Sequence, residues 1–228
     1  ILASSATIGS CGLFCDTGSM YFYMAHPFFL MLGYTTTIMQ DLPSHYDSLE
    51  QTLQSAESIL EDAIRNAKNL FHTPVISSHS DEGIQTRTVV LRDFIRDSRI
   101  IRFHTDLRSP KVAELQANPA ATMQGYDPSI KIQLRMLGSA EVHHRDAVTE
   151  AAWAETREMS KECYSVGDAP GLSIDDPNAF DIDAKNLDLE MGYANFCVVL
   201  FQFDSLEFLH LKGSGHRRAK HVWLNNDL

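Results

Sequence analysis

The sequence predicts a mainly β (α+β) domain: an antiparallel sheet, closed or half closed into a barrel, with a few flanking helices. Three observations predict it. Short runs rich in Val, Ile, Leu and Phe recur between residues 74 and 211, each ended by turn residues such as Asp81-Glu-Gly83, Asp97-Ser98 and Asp127-Pro128. The run Ile130 to His143 alternates over its first half, with Ile132, Leu134 and Met136 on one face and Lys131, Gln133 and Arg135 on the other. Few segments repeat their apolar residues at helical spacing, and no internal repeat or low-complexity tract interrupts the pattern.

The first globular element is an amphipathic helix over Tyr46 to Phe71. Leu49, Leu53, Ala56, Leu60, Ala63, Ala67 and Leu70 form its stripe, which reads as core packing rather than a partner groove, and His72-Thr-Pro74 closes it. A strand over Pro74 to Ser78 follows. Ile84 to Phe94 and Arg99 to Thr105 read as a hairpin. Ser109 is placed to cap a helix from Pro110 to Ala117, with Pro110 at its first position, and Asn118-Pro119 stops it. Ala120 to Gly125 and Ile130 to His143 are strands, and Gly138 breaks the alternation of the second and marks a bulge. Ala147 to Cys163 is a helix and Tyr164 to Asn186 a loop. Ala194 to Phe203 and Leu206 to Leu211 are two closing strands joined tightly at Asp204-Ser205.

The chain has 228 residues and a formal net charge of -11, which argues against a general binder of nucleic acid or anionic membrane. Any phosphate site must be a local basic pocket. Cys11, Cys15, Cys163 and Cys197 form no disulfide framework and no zinc spacing. They read as reduced, which fits a cytoplasmic protein. Residues 1 to 40 look unlike the rest. A charge-free run from Thr17 to Gln40 is interrupted by His26, Pro27 and Gly33 and has no Lys or Arg flank, so it resembles neither a membrane span nor a secretory signal. It reads as an extension outside the domain, with Met39 a credible start; a lipid- or partner-docking tail is the competing account. The domain is placed at residues 41 to 228, and the abrupt end at Asn225-Asn226-Asp227-Leu228 suits a truncated C-terminus.

The stretch Arg87 to Lys111 carries the chemistry. A helix start with free N–H groups, the Ser109 hydroxyl, Lys111 and the strand residue Arg87 would make a sensible phosphate cradle. On spacing alone, a surface hairpin and a capped helix with solvated cations is the plainer reading. His143-His144, His210 and His221 lack a second ligand group at fitting spacing, so no metal site is assigned.

Five motifs occur in order, and together they are far more specific than any one alone: Arg87-Thr-Val-Val-Leu-Arg92, Phe103-His-Thr105, Ser109-Pro-Lys111, Asn118-Pro119 and Gln133-Leu-Arg-Met-Leu-Gly138. The segment Arg87 to Glu141 resembles the pyridoxamine 5'-phosphate oxidase-like family, whose members are flavin mononucleotide (FMN) proteins with a split β-barrel fold. The resemblance implies FMN as cofactor, held by Arg87, Thr88, Val89, Val90, Leu91 and Arg92, by His104 and Thr105, by Ser109, Pro110 and Lys111, and by Gln133. Arg87 and Lys111 would take the phosphate, His104 and Thr105 would sit beside the flavin, and Gln133 would hydrogen-bond it. It also implies a homodimer with FMN at the interface, and hydride transfer through flavin N5 to or from a small substrate.

The departures fall on the substrate side. Arg92 stands where the family has lysine, Leu209 where it has tryptophan, and Ala219 where its catalytic-site histidine belongs. The substrate set is at best Arg92, Trp153, Arg157 with Ser160 or Lys161, and Arg217; an exposed helix face explains those helical positions equally well. No catalytic residue is nominated. The expectation is an FMN-dependent oxidoreductase with a rebuilt substrate site; the alternative is a non-catalytic flavin- or haem-binding module of the same barrel.

Overall fold

The computed structural model describes residues 42–171, 173 and 188–224. The expectation for residues 1 to 40 and most of the Tyr164–Asn186 loop lie outside them, as does the end of the chain from residue 225.

The helix that opens the domain, α1, runs Leu49–Arg65 and not to Phe71. Ser48 caps it by accepting from Gln51 N, and Asn66 ends it in extended backbone. The Asp62 carboxylate takes the amides of both Asn66 and Asn69, at 3.3 and 2.7 Å. That turns the chain into a short 3-10 turn, Leu70–His72, which drops Phe71 into the core. The buried stripe is Thr52, Ser55, Ala56, Ile59, Leu60 and Ala63, while Leu49 is exposed.

Among the described residues eight strands follow: β1 (Val75–Ser80), β2 (Gly83–Thr88), β3 (Leu91–Ile95), β4 (Ile100–Asp106), β5 (Ala120–Asp127), β6 (Ile132–His143), β7 (Phe196–His210) and β8 (Arg217–Val222). All pairings are antiparallel, in the order β2-β1-β5-β6-β7-β4-β3, with β8 on β7. The path is not closed among the described residues, so the barrel is open.

The Ile84–Phe94 run is two strands, not one. β2 pairs with β1, the chain steps across at Val89 and Val90, and β3 pairs with β4. The Val89 N–H donates to Pro74 O at 3.0 Å at the step. Continuous β-branched sequence cannot reveal a change of partner, because the side-chain pattern is the same on both sides of it.

The two closing strands are likewise one. β7 runs unbroken through Asp204 because β6 runs beside its whole length. Leu137 faces Ser205 and Gly138 faces Phe203, leaving Asp204 as the extra residue of a bulge. Its carbonyl accepts from Trp223 N at 2.8 Å. Gly138 is required here, since a Cβ would sit 2.0 Å from Gln202 O. β8 escaped the sequence reading because of its residues only Ala219 is buried.

α1 and the sheet enclose the main core, which includes Phe71, Leu91, Ile101, Phe103, Met123, Leu134, Met136, Phe201, Phe203 and Phe208. The helix α2 (Pro110–Ala117) forms as expected. The expected helix over Ala147–Cys163 breaks into α3 (Ala147–Glu155) and α4 (Glu158–Glu162). Thr156 Oγ1 donates back to Ala152 O at 2.7 Å, and Arg157 is extended at the break. A short helix α5 (Leu189–Asn195) leads into β7. α3 covers the far face of β7, where Ala152, Phe196 and Val198 make a second small core. No helix among the described residues is long and apolar enough to cross a membrane.

Candidate functional site

Arg87 and Ile76 are paired across β2 and β1, as are Ile76 and Met123 across β1 and β5, so Arg87 leaves the sheet on the core face, under α2. Its Nη2 donates to Glu114 Oε2 at 2.7 Å and its Nη1 to the Ser78 hydroxyl and to Gln85 O. Ser78 in turn donates to Glu114 at 2.5 Å. The two charged side chains are 22% and 11% exposed.

Lys111 stands one turn before Glu114 on α2. Its Nζ donates to Thr105 Oγ1 at 3.0 Å and to Ser109 Oγ at 2.5 Å. Both hydroxyls are buried. Ser109 therefore occupies the cap position of α2 without capping it; its hydroxyl is turned to the lysine. No carboxylate lies within ion-pair distance of Nζ among the described residues. Burial pushes the Lys111 ammonium below its ordinary range, and the nearby charge of Arg87 adds to this, against opposing pulls from Asp106 and Glu114. Asp106 is itself committed to Arg108 at 2.8 Å.

This arrangement fits a phosphate. It offers an under-compensated ammonium, a guanidinium fixed in plane by Glu114 and Ser78, two hydroxyls and a helix start. Val89 and Leu91 are buried, Val90 is half-buried, and Thr88 and Pro110 are exposed. The buried pair belongs to the main core and so sets the backbone of the step from β2 to β3.

His104 leaves β4 on the face opposite Thr105. It stands edge-on to Phe196, with centroids 4.8 Å apart. Burial, with the charges of Arg102 and Arg92, pushes its pKa down to about 3, so the ring is neutral at ordinary pH. Gln133 lies on the face of β6 opposite Leu134 and Met136, and Met136 shares a row with Met123, Ile76 and Arg87. Gln133 and Arg87 therefore project from opposite faces of the sheet, and the fold does not bring them together within one chain.

A cleft of about 320 Å³ opens between α1, β3, β4 and the break between α3 and α4. Arg92, Arg157 and Ser160 all line it, together with Arg65, Arg102 and His104. The helix break is what presents Arg157 there. Trp153 is absent from the lining; it packs against Phe196, Tyr193 and Tyr164, under Lys161. Arg217 is elsewhere, on β8, 3.1 Å from His45 Nε2. Arg218 joins Arg135 in holding the buried Glu207. Ala219 is packed in the core opposite Phe208.

Among the residues of these sites that were not foreseen are Glu114, Ser78 and Arg102. Glu114 had a signal, being three residues after Lys111 on one helix face. Ser78 and Arg102 had none, since each depends on which strand lies beside which.

Residues 53–144 match the family model for the pyridoxamine 5'-phosphate oxidase FMN-binding domain. A pyridoxine/pyridoxamine 5'-phosphate oxidase of Legionella pneumophila is 28% identical over 108 residues, 44% of this chain and 50% of that protein. Pyridoxine/pyridoxamine 5'-phosphate oxidase 2 of Arabidopsis thaliana is 30% identical over 134 residues, 55% of this chain and 66% of the relative. The chain thus spans about half of the first relative's length and 66% of the second's. Among solved structures, a pyridoxamine 5'-phosphate oxidase-related, FMN-binding protein of Nostoc punctiforme superposes with a TM-score of 0.57 at 22% identity, over 75% of this chain and 96% of that one. PhzG of Burkholderia lata, solved with tetrahydrophenazine-1-carboxylic acid, gives 0.58 at 18% identity over 83% and 92%. At these identities the two structures speak to the fold, and the fold they share with this chain is the open split barrel described above. Over residues 53–144 the chain is a divergent member of the pyridoxamine 5'-phosphate oxidase-like family.

Proposed function

We propose that the protein is an FMN-dependent oxidoreductase that moves a hydride between the flavin and a small anionic substrate. The observation that carries this reading is Lys111: a half-buried ammonium held by two hydroxyls, beside Arg87, with no carboxylate within ion-pair distance among the described residues. A phosphate supplies the missing negative charge. When bound, FMN would supply the ring that accepts and returns the hydride. The chain's own part is to hold the phosphate with Lys111, Thr105, Ser109 and Arg87, to keep Arg87 oriented through Glu114 and Ser78, and to face the substrate with the arginines of the cleft. Arg92 and Arg157 are assigned to the substrate's anionic group. His104, neutral and half-buried in that cleft, offers a hydrogen bond and no charge.

A homodimer is part of the proposal. Gln133 faces away from the Arg87 cradle, so a flavin that touches both kinds of residue needs a second copy of the chain. A dimer mass in light scattering, with FMN retained per chain, is the expected result.

A second reading, a non-catalytic flavin- or haem-binding barrel, draws on β8, which places Ala219 in the core where the family's histidine would stand. Anaerobic titration separates the two. Bleaching of bound FMN by NADPH or NADH, and return of colour on adding oxygen or an oxidised substrate, supports the enzyme. Flavin that binds but neither bleaches nor recovers supports the module.

A further inference from the structure

The arginine cleft holds more cationic and polar capacity than one anion uses. Arg65, Arg92, Arg102 and Arg157 line it against a single lining carboxylate among the described residues, Glu155, on a protein whose net charge is -11. Arg92 comes to it from β3 and Arg157 from the break between α3 and α4. Arg102 comes from β4, two residues before His104 and on the same strand face.

Arg102 is held weakly. Its Nη2 is 3.3 Å from Glu155 and 3.8 Å from Asp93, and those carboxylates are 68% and 41% exposed. Rim pairs of this kind contribute little and are easily exchanged. Meanwhile Arg102 Nε and His104 Nε2 are both shut off from solvent with no hydrogen-bond partner among the described residues. Buried polar atoms in that condition are normally partnered. Two such atoms on alternate residues of one strand face, in side chains that line one cleft, leave hydrogen-bonding capacity there unmet.

We propose that Arg102 and His104 form a second anion subsite in this cleft, so that its ligand is a small, partly apolar molecule with two anionic groups, one held by Arg92 and Arg157 and the other by Arg102 with His104. The apolar walls, Ile64, Leu91 and Ala152, suit a flat ring between the two groups. On binding, Arg102 leaves Glu155 for the ligand carboxylate, an exchange of one exposed ion pair for a more enclosed one. This rests on the cleft being the substrate site.

The test is calorimetric titration of the purified full chain, saturated with FMN, with benzoate and with the 1,2-, 1,3- and 1,4-benzenedicarboxylates. The best dicarboxylate is expected to bind at least tenfold more tightly than benzoate. Arg102→Gln should erase that advantage and leave benzoate affinity unchanged, and Glu155→Gln should increase it. Thermal unfolding of each variant, followed by circular dichroism, confirms that it is folded. A parent that binds every dicarboxylate within twofold of benzoate, or an advantage that survives Arg102→Gln, overturns the second subsite and leaves the first standing. Absence of binding by all four probes overturns the cleft as a substrate site and the inference with it.

Discussion

Replacing Lys111 with Met should separate cofactor affinity from stability. The methionine keeps the length and apolar stem of the lysine and removes its charge. In the empty protein that charge is a burden: burial and the neighbouring Arg87 both press the ammonium pKa down. The two hydroxyls at 3.0 and 2.5 Å partly offset this, and they lose a donor on substitution. The opposing terms leave the unliganded variant within about 1 kcal/mol of the parent. The liganded state differs. Charge-assisted hydrogen bonds are each worth about 1.5–3 kcal/mol, and Lys111 is the cation in the cradle that Glu114 does not already pair. Loss of one such bond weakens FMN binding by roughly 10- to 150-fold. Fluorescence titration of FMN gives the affinity and urea unfolding gives the stability. The pH dependence adds a sign. The folded protein holds this proton less tightly than the unfolded chain, so between the depressed pKa and the ordinary 10.5 the unfolded chain binds more protons. Stability of the empty parent therefore rises with pH through that window, while FMN affinity, which needs the ammonium, falls. A Lys111→Met protein that binds FMN as tightly as the parent would refute the cradle. One that loses several kcal/mol of stability would refute the claim that the charge is poised for a ligand.

Three other outcomes follow from the structure. Gly138→Ala puts a Cβ 2.0 Å from Gln202 O and 2.6 Å from Phe203 Cα; backbone on both strands must move, and a loss of at least about 2 kcal/mol is expected in chemical unfolding. His104 should show no titration between pH 5 and 8 by NMR, because its pKa is about 3. Since the unfolded imidazole titrates at 6.5, the stability it contributes is lost as pH falls from 6.5 towards 3, with an upper bound of about 5 kcal/mol; acid unfolding of His104→Gln should be correspondingly shallower. Glu207 is held down by its hydrogen bond to Arg218, with the charge of Arg135 helping. Its contribution is present above the ordinary carboxylate pKa and is lost on acidification, and Glu207→Gln should flatten the acid limb of the stability profile.

Much of the fold was legible because it is written in local pattern. The alternation of Ile132, Leu134 and Met136 survives as the buried face of β6. Pro110 and Asn118 bound α2 where they suggested, and Gly138 does mark a bulge. The misreadings came where a partner overrode the local signal. Asp204-Ser205 carries the composition of a turn, yet β6 beside it keeps β7 extended. Val89 and Val90 look like mid-strand residues, yet the chain changes partners there. β8 lacked apolar alternation, so nothing in its own sequence announced it.

The candidate site divides the same way. Arg87, Thr105, Ser109 and Lys111 were recognised as an ordered set, and the fold draws Thr105, Ser109 and Lys111 into direct contact with Arg87 close by. The basic residues expected to form one substrate cluster separate, because helical spacing could not show that α3 breaks at Thr156 or that Arg217 and Arg218 lie on a strand. Trp153 was legible as a large aromatic on a helix but not as a packing residue, since its neighbours Tyr164, Tyr193 and Phe196 come from later elements.

The most direct test is the visible spectrum of the purified chain after mixing with FMN and desalting, run beside Arg87→Met and Lys111→Met. Flavin bands near one equivalent are expected in the parent, with their loss from both variants. A colourless parent, or variants that keep the flavin as well as the parent does, would contradict it.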